Sequence, residues 1–283
     1  PVNQILFALA SILGGGSVMG SMVAMRLTVI AADLGVLYFG RKLLQNLNKA
    51  NHMAFWYFLN PLVIIELTGN LHFEGVMLFF FMWALYLISK NKWLWATPVY
   101  AISIMVKLMP ILFLPLFIKY FGTKKSIIFY GIVGITTVLL VLPFYAPEFA
   151  GNYMQTVGLW FSNFEFNAGL YNVIKNVAVN FDVKPWELIK DYGKIIPIIV
   201  MVSVGLFTFF RDNKKISGLL TSMLWVLSLY YFLSATVHPW YIIFLVLLSL
   251  FTEFRFPMVW SLSIVLSYWA YSNEGFKENY WLL

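Results

Sequence analysis

Apolar residues fill long runs at 20–40, 53–68, 75–89, 127–142, 195–210, 217–235, 239–252 and 257–271, separated by short polar or charged breaks. About 17 to 25 predominantly apolar residues carry a helix across a bilayer, so these runs are read as membrane-embedded helices. Residues 93–118 are equally apolar but contain Lys107, Pro110 and Pro115. Proline removes a backbone donor and crowds the preceding turn, so this stretch predicts two short helices or one broken helix. Counted as two, it brings the total to about ten transmembrane or broken helices in a single all-α polytopic domain over residues 1–283. Residues 1–17 form a separate segment. Its run 2–13 is too short to cross and begins with Asn3 and Gln4, which predicts a helix lying at the interface.

A longer interruption covers residues 143–194, too long for a simple connection. Within it, Leu170, Ile174, Val177 and Phe181 recur at helical spacing opposite Asn172, Lys175 and Asn176, which predicts an amphipathic helix on the membrane surface. Trp160, Phe161, Phe164, Phe166 and Trp186 flank it, as aromatic residues do at the headgroup level. Anchoring and substrate contact are both open to this loop.

Composition agrees with a lipid solvent: 61% of residues are hydrophobic and 11% charged, and the mean hydropathy is +0.81. There is no cysteine, which excludes disulfides, thiol nucleophiles and thiolate metal sites. The net charge of +7 does not imply nucleic acid. Twelve of the nineteen basic residues, from Arg41 and Lys42 to Arg255, fall in the breaks on one side of the alternating helices, which explains the charge by the positive-inside rule. The opposite, non-cytoplasmic side then carries Glu66, Glu74, Glu148, Glu165, Asp182, Glu187, Asp191, Glu274 and Glu278.

The break 60–74 is the most informative, because it places Glu66, Asn70, His72 and Glu74 between two apolar runs. Ionisable groups persist at membrane depth mainly where they face a polar cavity or do chemistry. Lys107, between Val106 and Leu108, is a second such group, and Arg26 and Asp33 share a run. Seven residues separate Arg26 from Asp33, about 10 Å of helical rise, so they cannot pair; Asp33 is expected to bond to a neighbouring helix. Snorkelling is the architectural reading of Arg26, and capping or pairing within the bundle that of Glu66.

In order along the chain, Tyr57-Phe58-Leu59-Asn60-Pro61, Gly69-Asn70 with Glu74, Val106-Lys107-Leu108-Met109-Pro110 and Thr236-Val237-His238-Pro239-Trp240-Tyr241 resemble the polyprenyl-phosphate-sugar-dependent mannosyltransferases of the GT-C superfold, in particular GPI mannosyltransferase I and its bacterial relatives. Residues 26–41 are similar to that family's second transmembrane helix, so the first helix and the loop bearing the principal catalytic carboxylate are expected upstream of Pro1. The resemblance implies an inverting transfer of a sugar, mannose in the relatives, from a polyprenyl-phosphate donor to a hydroxyl of a glycan or glycolipid acceptor on the non-cytoplasmic face. It places the bacterial inner membrane ahead of the ER membrane.

Glycosyl transfer needs a base and a cation or donor for the leaving phosphate. Lys107, and Arg26 with it, are candidates for phosphate binding, His72 and His238 for hydrogen bonds to phosphate or sugar, and Asn70 and Glu74 for substrate contact, with Glu74 also a possible aid to the base. Glu165 sits with Asn167 among aromatics, an arrangement suited either to sugar stacking or to an interface belt. Glu66, Glu74, His72 and His238 are chemically suited to a divalent metal, although their spacing matches no metal motif. A transporter or lipid flippase and a noncatalytic transferase subunit are the competing classes.

Overall fold

The computed structural model describes residues 1–272 and 274–279, without the side chains of residues 157 and 160–162. Trp160 and Phe161, expected in the aromatic belt, therefore lie outside the described residues. The chain is all-helical and polytopic. In order, the helices are α1 (Val2–Leu13), α2 (Val18–Asn46), α3 (Phe55–Phe58), α4 (Pro61–Val63), α5 (Glu74–Ser89), α6 (Trp93–Val106), α7 (Phe117–Phe121), α8 (Thr123–Val141), α9 (Phe149–Ser162), α10 (Gly169–Val179), α11 (Pro185–Phe210), α12 (Ile216–Leu233), α13 (Ile242–Ser249) and α14 (Phe256–Ser263). Tighter 3₁₀ turns at Asn51–Ala54, Met109–Leu116, Pro239–Tyr241 and Ile264–Ser272 extend several of them.

Among the described residues, α2, α8 with the turn that follows it, α11 and α12 are long and apolar enough to cross a membrane unaided. The remaining embedded helices are shorter or broken. The run 53–68 is divided at Asn60-Pro61, where proline starts α4 and Asn60 caps it by accepting the Leu62 amide at 2.9 Å. The Asn60 amide donates to Ser261 Oγ at 2.9 Å, so the break is satisfied by a neighbouring helix. After α4 the backbone widens into a π-type turn over Ile64–Gly69, then reverses by 113° into α5.

The run 93–118 breaks as the sequence predicts. Helix α6 ends at Val106, Lys107 is extended at φ −147° and ψ 139°, and a 3₁₀ turn resumes at Met109. The carbonyl of Pro110 accepts the buried Tyr100 hydroxyl at 2.6 Å. In the long connection, α10 falls where the amphipathic pattern predicts, with α9 before it, and α11 begins at Pro185 rather than near 195.

Every residue of α13 is buried. Phe244 on it meets Phe81 of α5 and Phe113 edge to face, with centroids 4.9 and 5.5 Å apart. Lipid is as apolar as these side chains, so close packing and internal hydrogen bonds hold the bundle together. The bond from Ser103 Oγ of α6 to the Met77 carbonyl of α5, at 2.9 Å, is one of these.

Charged side chains meet at both ends of the bundle. At one end Lys49 pairs with Glu253 at 2.5 Å, and Lys119 donates to the carbonyls of Phe209 and Arg211 at 2.5 and 3.1 Å. At the other, Glu74 meets Lys107 and Arg26 meets the end of the π-type turn. Helix α1 packs at this second end, where Asn3 Nδ2 donates to the Val106 carbonyl at 3.0 Å and Phe7 meets Phe73 at 5.1 Å.

Candidate functional site

Helices α5 and α6 run antiparallel, so the N-terminus of one lies beside the C-terminus of the other. Glu74 is the first residue of α5 and Lys107 the first beyond α6. A carboxylate at the positive end and an ammonium at the negative end each complement the helix dipole, and the two side chains form an ion pair. Glu74 is 4% exposed, while the Lys107 side chain keeps a third of its surface open. Glu74 Oε2 makes no hydrogen bond and has His72 Nδ1 at 4.0 Å.

Gly75 follows at a close approach, where a side chain would make its neighbours give by a few tenths of an ångström. A Cβ there would lie 3.0 Å from Asp33 Oδ1 and 3.2 Å from Leu67 Cδ1. Asp33 accepts a hydrogen bond at 3.4 Å from Tyr57 of α3, the neighbouring-helix partner the sequence predicts.

The other carboxylate is fully buried. Glu66 stands in the π-type turn and accepts from the Tyr268 hydroxyl and, at 3.2 Å, from Asn70 Nδ2. His72 Nε2 is 3.5 Å from its Oε2, so His72 bridges the two acids. Leu71 adopts the left-handed conformation at φ 59°, which costs a non-glycine residue about 1–2 kcal/mol and brings the His72 amide back onto the Glu66 carbonyl at 3.1 Å. Arg26 caps the same turn, donating to the carbonyls of Thr68 and Gly69 at 2.9 and 3.2 Å.

Aromatic stacking joins His72 to His238. His72 lies on Trp240 with centroids 3.9 Å apart, Trp240 on His238 at 4.3 Å, and His238 on Phe166 at 5.0 Å. Phe166 meets Tyr271 at 5.6 Å and Tyr271 meets Tyr268 at 5.8 Å, which returns the ring to Glu66. Phe166 is held by a parallel bridge to Thr236: its amide donates to Ala235 O at 3.0 Å and its carbonyl accepts from Val237 at 2.8 Å. His238 Nδ1 is buried without a hydrogen-bond partner. Burial, and then the charges of His72 and Lys107, push this loop histidine down to about 4, so it is neutral at pH 7.

Lys107, Glu74, His72, His238, Asn70 and Arg26 are thus brought to one end of the bundle. Glu165 is not among them: it is half exposed and pairs with Lys175 at 2.7 Å, while its neighbour Phe166 enters the ring. Among the described residues no group of three or more His, Cys, Asp or Glu is arranged to hold a metal ion. Glu74 is engaged by Lys107, and Glu66 by Tyr268 and Asn70. Sequence reasoning did not assign Tyr268, Tyr271, Trp240 or Phe166 to the site. The His-Pro-Trp-Tyr motif carries a signal for Trp240, whereas Tyr268 lies in an apolar run like any other aromatic.

Lys107 also stands over the Tyr241 ring, 6.0 Å from its centroid. A cavity of about 120 Å³ between α11 and α12, lined by Tyr192, Tyr230 and Tyr241, adjoins that ring. The cluster therefore combines an accessible cation, a buried carboxylate, two imidazoles and stacked rings, the groups needed to hold a phosphate beside a sugar.

No curated protein and no solved structure matches the chain. Residues 1–122 match the family model described as alpha-(1->6)-mannopyranosyltransferase, N-terminal domain. That segment contains Arg26, Asn70, His72, Glu74 and Lys107, and the match supports a mannosyl-transferring glycosyltransferase.

Proposed function

We propose that the protein is an integral membrane mannosyltransferase of the GT-C type that uses a polyprenyl-phosphate-linked mannose and acts at the non-cytoplasmic face, in a bacterial inner membrane. The Glu74–Lys107 pair carries this reading, because it puts a cation and a carboxylate at one end of the bundle inside the segment that matches a mannosyltransferase model. The acceptor hydroxyl attacks the anomeric carbon, its proton passes to a base, and the C1–O bond breaks with its electron pair going to the phosphate. Lys107 stabilises the charge that develops on that phosphate, in surroundings drier than water where such contacts are worth more. Glu74, itself buried, fixes the ammonium that meets the phosphate, His238 in its neutral form donates one hydrogen bond, and Arg26 lies behind the π-type turn as a second source of positive potential.

The α-(1→6) linkage in the family description gives the expected product. A single displacement inverts the anomeric centre, so an α product requires a β-linked donor. The test is transfer of radiolabelled mannose from β-mannosyl-phosphoryl-polyprenol by the full-length protein in nanodiscs, with the product linkage read by NMR. Lys107→Ala and Glu74→Gln should abolish transfer while leaving expression intact. Transfer unchanged in both variants overturns the site, and a β-linked product overturns the inverting mechanism.

A further inference from the structure

Helix α10 turns Val173 and Val177 outward and Asn172 inward beside the buried Tyr171, while Asn176 stays exposed at the edge of the same face. Val173 and Val177 are 60 and 54% exposed, and Phe181 just beyond the helix is 77% exposed, whereas Asn172 is 8% exposed. The inward face borders a groove of about 360 Å³ against α12 and α14, within the size range of small-molecule sites. Its lining includes Asn167, Asn172, Asn176, Val237, Phe232 and Trp260, and none of its described lining residues is charged at neutral pH. Phe232 and Trp260 stack with centroids 4.7 Å apart.

Asn172 Oδ1 is buried without a hydrogen-bond partner. A buried acceptor without a partner is costly and calls for a donor. An acyl chain brings no donor, and a phosphate brings further acceptors with no cation among the described lining residues to receive it. Sugar hydroxyls supply donors, and the C–H faces of a pyranose pack on aromatic rings. The groove also reaches the ionisable cluster: Asn167 Nδ2 donates to the Val237 carbonyl at 3.2 Å, and the next residue is His238.

We infer that this groove binds the neutral sugar residues of the acceptor and delivers their terminal hydroxyl past Val237 toward His238 and Lys107. The inference rests on the glycosyl-transfer reading for its ligand's role, but binding is measurable without transfer. The experiment uses the full-length protein in nanodiscs with an α-linked mannotriose, read by saturation-transfer NMR, beside acceptor and donor KM values in the transfer assay. Wild type should bind the trisaccharide. Asn176→Ala, at an exposed position that tolerates truncation, should weaken binding and raise the acceptor KM about tenfold at unchanged donor KM. Asn172→Leu should do at least as much, with thermal unfolding as its control for folding.

Trisaccharide binding that depends on Asn176 in a protein without transfer activity upholds the groove and removes the transferase reading. Acceptor KM and trisaccharide affinity unchanged in Asn176→Ala overturn the inference. So does a groove that co-purifies with an acyl chain and binds no trisaccharide.

Discussion

His72 stacks on Trp240 with ring centroids 3.9 Å apart and an interplanar angle of 20°, and through that indole it is coupled to His238 on the other face. One imidazole comes from the loop after the π-type turn and the other from the loop before α13, more than 160 residues later. The indole is what gives two distant loops one geometry. Aromatic contacts of this kind contribute about 0.5–1.5 kcal/mol each beyond burial. Trp240→Leu removes two of them and should lower kcat/KM for mannosyl transfer about ten- to a hundredfold. Trp240→Phe should retain most activity, and equal losses in the two variants would argue against stacking as the cause.

The Glu74–Lys107 pair allows stability and activity to be separated. Removing one partner strands a charge beside two helix ends, a change that costs about 3–5 kcal/mol in buried pairs and less here because Lys107 is partly open. Glu74→Gln and Lys107→Met should each lower the thermal midpoint, and the double variant should recover part of that loss by leaving no unpaired charge. Transfer should stay absent in all three. Recovery of activity in the double variant would show that the pair is architectural only.

The end of α6 at Lys107 was legible because proline and a charge act locally, on the turn in which they stand, whereas the run 53–68, read as one membrane helix, is divided at Asn60-Pro61. The gathering of Glu74, His72 and Lys107 was foreshadowed by their cost in lipid. What could not be read was register. In the bridge to Thr236 successive side chains point to opposite sides, so Phe166 enters the ring and Glu165 turns out to Lys175, a choice of one residue made by hydrogen bonds to Ala235 and Val237. Tyr268 was equally hidden, since its partner Glu66 is supplied by a helix some two hundred positions away in sequence.

Tyr268 is the principal donor to a fully buried carboxylate. Tyr268→Phe keeps the ring contact with Tyr271 and removes the hydroxyl, leaving Glu66 with Asn70 and the nearby His72. Loss of a hydrogen bond to a buried charged group costs about 1.5–3 kcal/mol, which should appear as a lower thermal midpoint. Because Glu66 is not exposed to substrate, donor KM should change little. A large rise in donor KM at unaltered stability would instead assign Glu66 to the substrate.

His238 supplies a pH dependence whose sign follows from its surroundings. Its ordinary value of 6.5 is lowered to about 4, mainly by burial and secondarily by His72 and Lys107. Other groups facing the cluster are Glu74 and Glu66, both engaged by their own partners. Between pH 6.5 and about 4 the unfolded chain holds a proton on this imidazole that the folded chain does not, so stability falls as pH is lowered through that window and is fully present above it. His238→Gln should flatten that acid limb by up to one proton in the slope of stability against pH, with the largest difference near pH 5. Transfer by wild type should show no acid limb from His238 between pH 6 and 8, because the neutral imidazole prevails throughout. A kinetic pKa near 6.5 that disappears in His238→Gln would place this histidine in an open, hydrated position and detach it from the stack on Trp240.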